Sequence, residues 1–292
     1  ILIVSDRQQI PLISDIHQRI GKSSVHTLID IHSCVTTFLV APEYREKLSF
    51  TCPYTNQQYR YVKACFGITF VGNVVQRVLT NLFADLPYAN VYIDDIVIST
   101  PASLSLHVDC VAEVLKRLTK ANLVVNPDKI VLAQQNIHIL GWTVIADGGL
   151  IPDPRKLTNI HSWPLPTTGK MIQRYLGFAN YFRNSIPLFA DICGPLDALR
   201  NEKSLEGIWN NTHLQAFRNI QLALSSAPVL SPPNMRFGIH VATDASVTGI
   251  GGIMYQIIDD KIRYIGMASR KLSVSEQNYS TTKRELLAVV YM

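Results

Sequence analysis

Residues 91–99 read Val-Tyr-Ile-Asp-Asp-Ile-Val-Ile-Ser. Two short β-rich runs flank the pair Asp94-Asp95, which predicts a hairpin with both carboxylates at its tip. One interpretation is structural, because aspartate is a common turn residue. The other is that a divalent cation neutralises the pair, since two carboxylates about 4 Å apart repel each other by about 4 kcal/mol at an effective dielectric constant of about 20. Oxygen ligands of this kind favour Mg²⁺.

A third carboxylate, Asp30, lies within the apolar run 25–31, which predicts a buried strand. An aspartate in such a run is not expected to be fully buried without a partner. If Asp30, Asp94 and Asp95 lie on neighbouring strands, they form the ligand set of a two-metal site for phosphoryl transfer. One ion would activate the attacking hydroxyl and the other would stabilise the leaving oxygen.

The chain around these carboxylates mixes helical and extended patterns. Helical periodicity is found at 11–21, 69–84 and 104–120. The apolar face of the third helix is predicted to consist of Val108, Val111, Leu115 and Leu118. Extended segments are predicted at 35–41, 122–125 and 137–145. Helices dominate 150–226, and strands at 237–243 and 250–258 precede a final helix that starts near Ser280.

The composition indicates a folded protein. Of the 292 residues, 47% are hydrophobic and 17% are charged, which excludes a disordered chain. No uncharged apolar run reaches about 18 residues, so no transmembrane helix is expected, and no signal peptide is visible. The five cysteines form no Cys-x-x-Cys pair, which argues against a disulfide framework or a zinc site and favours a reducing compartment.

The basic excess lies in the second half of the chain. Residues 1–150 carry 12 Lys or Arg and 12 Asp or Glu, whereas residues 151–292 carry 15 and 10. The formal net charge of +5 permits nucleic-acid binding without requiring it.

Further motifs lie on both sides of the aspartate pair and follow a fixed order. They read LIDIHS at 28–33, FGIT at 66–69, VYIDDIVIST at 91–100, NPDKI at 126–130, ILGW at 139–142, QRYLGFANYFRNSI at 173–186, TDASVTGIGGIMYQ at 243–256 and STTKRELLAVVY at 280–291. The series resembles the reverse transcriptase and RNase H region of gypsy-type LTR retrotransposon Pol polyproteins, and the resemblance runs along nearly the whole chain.

The resemblance implies an α+β fold. We expect a right-hand polymerase palm with partial fingers over 1–148, thumb and connection helices over 149–205, and an incomplete RNase H-like α/β domain over 206–292 with its core from about residue 236. The family's fingers strands are expected before Ile1, and two further RNase H carboxylates are expected after Met292. On that basis we expect this chain to lack RNase H activity, and we do not expect polymerase activity either.

The resemblance also assigns roles around the predicted metal site. Asp30, Asp94 and Asp95 match the family's metal-binding triad, and the Ile31 backbone carbonyl matches one that contacts a metal ion. Lys129 matches a lysine that could protonate the leaving pyrophosphate, with a solvated loop lysine as the alternative.

The nucleotide side of the site is assigned in the same way. Phe66 and Gly67 match the turn beside the incoming nucleotide, although Phe66 could equally belong to the core. Val35 stands where the family usually has Tyr or Phe, whose ring blocks the 2′-hydroxyl. The resemblance therefore implies weakened discrimination between deoxyribonucleotides and ribonucleotides.

Nucleic-acid contacts are expected in the second half. Leu140, Gly141 and Trp142 match the primer-grip region, with packing as the alternative for Trp142. Four basic residues could contact phosphates or instead form solvated helix faces, namely Lys156, Lys170, Arg174 and Arg183.

Two carboxylates match metal ligands of the RNase H domain. Asp244 lies in a predicted strand and matches the first carboxylate, and Glu285 lies on the last helix and matches the second. Glu285 also has a structural alternative, because Thr282-x-x-Glu285 is a capping-box pattern.

Two functions remain open from the sequence. The first is an RNA-directed DNA polymerase that uses Mg²⁺, or Mn²⁺, to add dNTPs to a DNA primer on an RNA template, with the RNA–DNA hybrid as a partner. The second is a catalytically inactive retrotransposon-derived remnant that at most binds nucleic acid. Either implies an intracellular protein, cytoplasmic in a virus-like particle or nuclear, with no membrane partner.

Overall fold

The computed structural model describes residues 8–68, 71–145 and 148–292, and the chain divides into two units between Ile137 and His138. The first unit contains α1 (Ile13–Ile20), β1 (Val25–Asp30), α2 (Cys34–Thr37), β2 (Ser49–Thr51), β3 (Gln58–Arg60), α3 (Val71–Leu82), β4 (Ala89–Tyr92), β5 (Asp95–Thr100), α4 (Leu104–Lys120) and β6 (Val131–Gln134). Short 3₁₀ helices cover Pro42–Leu48 and Pro127–Lys129.

The remaining elements begin at the boundary between the units. They are β7 (Ile137–Ile139), β8 (Trp142–Val144), β9 (Leu150–Pro152), α5 (Pro154–His161), α6 (Gly169–Asn180), α7 (Phe189–Asp197), α8 (Asn211–Ser225), β10 (His240–Ala245), β11 (Gly249–Ile258), β12 (Lys261–Lys271), α9 (Val274–Gln277) and α10 (Thr281–Tyr291). None of the described helices combines the length and apolar character that a membrane-spanning helix needs.

The apolar runs that contain Asp30 and Asp95 are neighbouring strands of one sheet. Its order is β4-β5-β1-β6, and β1 pairs antiparallel with β5 from Val25 opposite Thr100 to Asp30 opposite Asp95. β5 is buried along nearly its whole length, because α3 and α4 pack their apolar residues into the same core. The predicted strand at 25–31 and the predicted hairpin around Asp94-Asp95 are both confirmed.

A buried histidine links this sheet to α4. His107 Nε2 lies 2.7 Å from Thr27 Oγ1, and His107 Nδ1 lies 2.8 Å from Thr100 Oγ1. Thr100 Oγ1 donates its own proton to the carbonyl of Pro101, and Thr27 Oγ1 accepts the backbone N–H of Ala133. These partners are all satisfied when the neutral imidazole carries its proton on Nδ1 and accepts the Thr27 hydroxyl at Nε2.

The second unit contains two sheets and a set of packed helices. The strands of one sheet follow the order β7-β8-β9, and those of the other follow β10-β11-β12. Between them in sequence, α6 and α8 pack through Tyr175 and Phe217, whose ring centroids are 4.3 Å apart. Tyr175 is fully buried, and its hydroxyl donates to the Phe217 carbonyl. α10 packs against β10 and β11, and α7 packs against β12.

Local structure differs from the prediction at several places. Residues 34–37 form α2 instead of an extended segment. Ser33 before them has φ +50°, which turns the chain out of the strand, and its carbonyl accepts the hydroxyls of Thr36 and Thr37. The strand β12 was not predicted, because its polar and half-exposed sequence lacks a clear apolar alternation. It follows a turn at Asp259-Asp260, where both residues have positive φ.

The predicted apolar face of α4 is confirmed in part. The bounds of the helix match the predicted 104–120, Leu118 is buried, and Val111 and Leu115 pack against the core. Val108 is instead 57% exposed, and the buried positions also include His107 and Cys110. The hydrogen bonds of His107 to two threonines orient the helix. Apolar periodicity cannot register that contact, since it counts histidine as polar. The predicted turn at Asp147 lies outside the described residues, as do the first two positions of the predicted helix 69–84.

Acid should destabilise the first unit through its buried histidines. Burial lowers the pKa of His26 to about 4 from 6.5, so the folded state binds fewer protons than the unfolded state between these values. The contribution of His26 to the free energy of unfolding is therefore fully present above pH 6.5, and it is lost as the pH drops toward 4. We expect His26 to account for about 2 kcal/mol of the loss between pH 7.5 and 5. Urea unfolding of the wild type and His26→Gln at both pH values measures it, and an identical pH dependence in the two proteins would contradict this origin.

Candidate active site

The hairpin tip presents two adjacent carboxylates. Tyr92 pairs with Asp95, so Ile93 and Asp94 form the two-residue loop between β4 and β5. Ile93 has φ +54°, because such tight hairpins require positive φ within the loop. Asp94 is exposed and Asp95 is half-buried. The loop is joined to β1 by a hydrogen bond of 3.2 Å from the Ile31 N–H to the Asp94 carbonyl.

The sheet brings Asp30 to the same place. Asp30 is the register partner of Asp95, and residues directly opposite in an antiparallel pair project to the same face with Cβ atoms about 4.5–5.5 Å apart. The three carboxylates that the sequence assigned to one site therefore meet at one end of the sheet. Adjacent strands position all three, through Asp30 at the end of β1 and Asp94 and Asp95 at the β4–β5 turn.

The electrostatics of this end of the sheet are dominated by negative charge. Burial, reinforced by the neighbouring Asp94 and Asp30 carboxylates, raises the pKa of Asp95 to about 6. Burial together with the same two carboxylates raises the pKa of the Cys34 thiol to about 12. Each shift disfavours a further negative charge, so the site favours binding a cation.

Lys129 supplies a cation at this end of the sheet. Its ammonium lies 3.2 and 3.1 Å from the two carboxylate oxygens of Asp30. The 3₁₀ turn that carries it is tied to the same strand, since the N–H of Asn126 donates to the Asp30 carbonyl at 2.9 Å. The side chain is 62% exposed, as the solvated-lysine alternative expects, but it is ion-paired with a carboxylate of the predicted site.

Oxygen donors of this kind suit Mg²⁺ or Mn²⁺. Nevertheless, within the described ranges no three His, Cys, Asp or Glu side chains converge as metal ligands would. The Lys129 ammonium gives a physical reason, because it binds both oxygens of Asp30. The backbone therefore brings the carboxylates to one end of the sheet, while the Asp30 side chain is bound to an ammonium ion.

The residues assigned to the nucleotide side fall in the same unit. Val35 lies in α2 beside Cys34 and packs partly against the core. Phe66 is 80% exposed, which excludes the core alternative for this ring. Gly67 has φ +90°, with no atom within 4 Å of the position a Cβ would take, so the turn depends on glycine for its backbone conformation rather than for space. Ile31 is buried.

The assigned primer-grip residues form a hairpin between β7 and β8. Leu140 and Gly141 both have positive φ, as a two-residue hairpin loop requires, and the Leu140 carbonyl accepts a hydrogen bond from the Tyr181 hydroxyl. Trp142 is buried, with its ring 5.2 Å from that of Phe182 in an edge-to-face arrangement. The structure therefore shows Trp142 packed in the core, which was the alternative to a primer contact.

The four basic residues assigned to phosphates have different surroundings. Lys156, Lys170 and Arg174 are exposed, and Arg174 borders a cavity of about 330 Å³. Arg183 is half-buried, and its guanidinium donates to the Ser269 carbonyl at 2.6 Å. Arg183 therefore connects the helical region to β12, a structural contact that the sequence analysis did not foresee.

The RNase H carboxylates lie on elements that pack together. Asp244 is exposed on β10 and accepts a hydrogen bond from the N–H of Ala245, while Glu285 is half-buried on α10. The capping-box alternative for Glu285 is wrong, because the helix begins two residues earlier than a cap at Thr282 requires. Its N-cap is Ser280, whose hydroxyl accepts the N–H of Lys283.

One contact at the hairpin escaped the sequence analysis. Gln76 on α3 is only 2% exposed, and its side-chain amide bonds to the backbone of Val91 in β4 and of Ile93 in the turn. The available signal was a glutamine on the apolar face of a helix, between Val75 and Leu79. A buried amide requires hydrogen-bond partners, and nothing in the sequence shows which partners they are.

Two segments match known protein families. Residues 3–144 match the family described as reverse transcriptase (RNA-dependent DNA polymerase), and residues 209–292 match the RNase H-like domain found in reverse transcriptase.

Curated relatives match along nearly the whole chain. It is 32% identical over 301 residues to the retrovirus-related Pol polyprotein from transposon gypsy of Drosophila melanogaster, which covers 99% of this chain and 28% of the relative. It is 30% identical over 284 residues to the transposon Tf2-3 polyprotein of Schizosaccharomyces pombe, which covers 96% of this chain and 21% of the relative. The chain thus spans about a quarter of the length of these relatives.

Solved structures share the fold. The foamy viral protease-reverse transcriptase in complex with double-stranded DNA matches with a TM-score of 0.86 and 21% identity, over 98% of this chain and 50% of that chain. The same viral protein in complex with an RNA/DNA hybrid matches with a TM-score of 0.84 and 21% identity, over 99% of this chain and 39% of that chain. The predicted α+β class, a polymerase fold followed by an RNase H-like domain, is confirmed.

Proposed function

Since the chain belongs to the reverse transcriptase and RNase H region of LTR retrotransposon Pol polyproteins, we propose that it is an RNA-directed DNA polymerase that extends a DNA primer on an RNA template. The observation that carries this proposal is the pairing of Asp30 with Asp95 across β1 and β5, with Asp94 at the adjoining turn. Three carboxylates at one end of a sheet suit nucleotidyl transfer to a hydroxyl.

In this proposal Asp30, Asp94 and Asp95 hold Mg²⁺, with Mn²⁺ as a substitute, and the Ile31 carbonyl adds an oxygen ligand. The ions would supply charge neutralisation and activation of the primer hydroxyl. That hydroxyl would release its proton to solvent and bond to the α-phosphorus of a dNTP, while the bond from this phosphorus to the pyrophosphate oxygen breaks. Lys129, which is ion-paired with Asp30, would donate a proton to the leaving pyrophosphate.

The other assigned residues bind substrate in the same proposal. Phe66 and Gly67 lie beside the incoming nucleotide, and Leu140 and Gly141 contact the primer. Exposed basic side chains contact the phosphates of the primer and template, namely Lys156, Lys170 and Arg174. Such contacts would be independent of sequence and sensitive to salt. Arg183 remains in the proposed set, although its guanidinium is already bonded to a backbone carbonyl.

We also propose Asp244 and Glu285 as metal ligands of the RNase H-like domain. Their support is the packing of α10 against β10 and the position of Glu285 outside the helix cap. Two carboxylates leave a two-metal site short of ligands. We therefore expect that these two residues do not suffice for cleavage of RNA in a hybrid.

A second candidate function is a non-catalytic derivative that binds nucleic acid. One observation favours it, since in the described part of the chain no three acidic, histidine or cysteine side chains converge on a metal position. The two candidates differ in one measurable property. A polymerase incorporates nucleotides, whereas the derivative binds a primer–template without extending it.

Primer extension tests the proposed activity. The pairing of Asp30 with Asp95 beside Asp94 reverses the expectation of inactivity that the resemblance alone implied. With an oligo(dT) primer on poly(A) and Mg²⁺, we expect the wild type to incorporate dTTP and Asp94→Asn to lower the rate roughly 100-fold or more, because the substitution removes a charged ligand. Asp109→Asn is the matched control, since Asp109 is an exposed acid on α4, and it should leave the rate unchanged. Absence of incorporation by the wild type, or equal rates for wild type and Asp94→Asn, would refute the proposal.

Sugar selectivity tests the role of Val35. A valine side chain is too short to block a 2′-hydroxyl, so we expect Val35→Tyr to raise the preference for dTTP over UTP by at least roughly tenfold. Val35→Ile enlarges the side chain without adding a ring and should change the preference little. The assignment fails if Val35→Tyr and the wild type select equally between the two sugars in the same extension assay.

A further inference from the structure

The side-chain amide of Gln76, on α3, forms hydrogen bonds to the backbone at the β4–β5 hairpin turn. Its Oε1 accepts the N–H of Ile93 at 2.7 Å, and its Nε2 donates to the carbonyl of Val91 at 3.0 Å. A third bond from Nε2 to Thr80 Oγ1, at 3.1 Å, ties the side chain to its own helix. Oxygen and nitrogen of the amide each face the partner that their chemistry requires, so the contact has one orientation.

Ile93, whose N–H bonds to Gln76, has an unusual backbone conformation. Ile93 has φ +54°, a region that β-branched residues rarely enter because Cβ crowds the following carbonyl. Such a conformation persists only when the surrounding structure holds it. The bond to Oε1 does so directly, since it fixes the N–H of the strained residue itself.

The position of Ile93 affects the carboxylates through two backbone connections. Ile93 immediately precedes Asp94, so the direction of the Ile93 peptide sets where Asp94 leaves the turn. The Asp94 carbonyl then accepts the N–H of Ile31, which follows Asp30. A shift of the turn would therefore change the placement of Asp94 and its alignment with β1.

We propose that Gln76 is a positioning residue that holds the Ile93 turn so that Asp94 and Asp95 face Asp30 as metal ligands. The inference rests on the proposed function for the identity of those ligands. The amide of Gln76 bonds to Thr80, Val91 and Ile93, so it acts on the carboxylates through the turn. Its role differs from general core packing, because an apolar side chain of equal length would fill the space and leave the N–H of Ile93 and the carbonyl of Val91 without this partner.

Two substitutions separate the hydrogen bonds from the packing. Gln76→Met keeps the length of the side chain and removes both bonds to the turn. Gln76→Glu keeps an oxygen that can accept the N–H of Ile93, whether the carboxyl is ionised or neutral.

Gln256→Met is the matched control. Gln256 is also a buried amide, and it bonds to the backbone of Asn234 and Phe237 in the second unit. Its loss tests the cost of removing a buried amide elsewhere in the chain.

The experiment combines amide hydrogen exchange at Ile93 with titration of Mn²⁺ followed by electron paramagnetic resonance. We expect Gln76→Met to accelerate Ile93 exchange and to weaken Mn²⁺ binding, each by roughly tenfold. Gln76→Glu should retain the slow exchange of Ile93. Gln256→Met, although it lowers thermal stability, should leave both the exchange of Ile93 and the affinity for Mn²⁺ at wild-type values.

Three results would overturn the inference. They are wild-type exchange of Ile93 in Gln76→Met, unchanged Mn²⁺ affinity in that variant, or equal weakening of Mn²⁺ binding by Gln256→Met. Two other results would contradict the proposed function instead. The wild type could fail to bind Mn²⁺, or Asp94→Asn could bind Mn²⁺ as tightly as the wild type. In that case the exchange of Ile93 would still decide whether Gln76 holds the turn.

Discussion

Asp30 and Asp95 face each other across an antiparallel strand pair at the end of a buried sheet, with Asp94 at the next position in the chain. Packing alone would not select this arrangement, since burial and mutual repulsion raise the pKa of Asp95 to about 6. The fold keeps the carboxylates because the register of β1 and β5 is fixed along six residue pairs. A sheet that holds like charges together favours a cation at that position. The Lys129 ammonium is such a cation, because it forms an ion pair with Asp30.

Polar side chains buried around the sheet support this register. His107 bonds to Thr27 on β1 and Thr100 on β5, so a single imidazole from α4 spans both strands. At the other end of the sheet, Gln76 bonds to Val91 on β4 and to Ile93 in the turn that also contains Asp94. Both contacts are buried, and breaking either would leave donors or acceptors unpaired in the core. The sheet is thus stabilised by directional bonds from α4 to β1 and β5 and from α3 to β4 and its turn, in addition to its apolar core.

The sequence predicted the features that depend on local pattern. The hairpin at Asp94-Asp95, the strand that ends at Asp30 and the bounds of α4 follow from turn chemistry and periodicity. Features that depend on distant partners were missed. On α4, His107 is buried by its contacts with two threonines while Val108 of the predicted apolar face is exposed. The hydrogen bonds of Gln76 join residues 15 and 17 positions apart. Glu285 showed the opposite error, where a local capping pattern had no structural counterpart because Ser280 starts the helix.

The central proposal is that Asp30, Asp94 and Asp95 form one metal site, and that the Lys129 ammonium now occupies the position of the metal ion at Asp30. X-ray diffraction from crystals of this chain soaked in Mn²⁺ near pH 7.5, above the raised pKa of Asp95, tests it most directly. We expect an anomalous peak in contact with Asp30, Asp94 and Asp95, with the Lys129 ammonium displaced from Asp30. No anomalous density at this end of the sheet, with the Lys129–Asp30 ion pair intact, would contradict the claim.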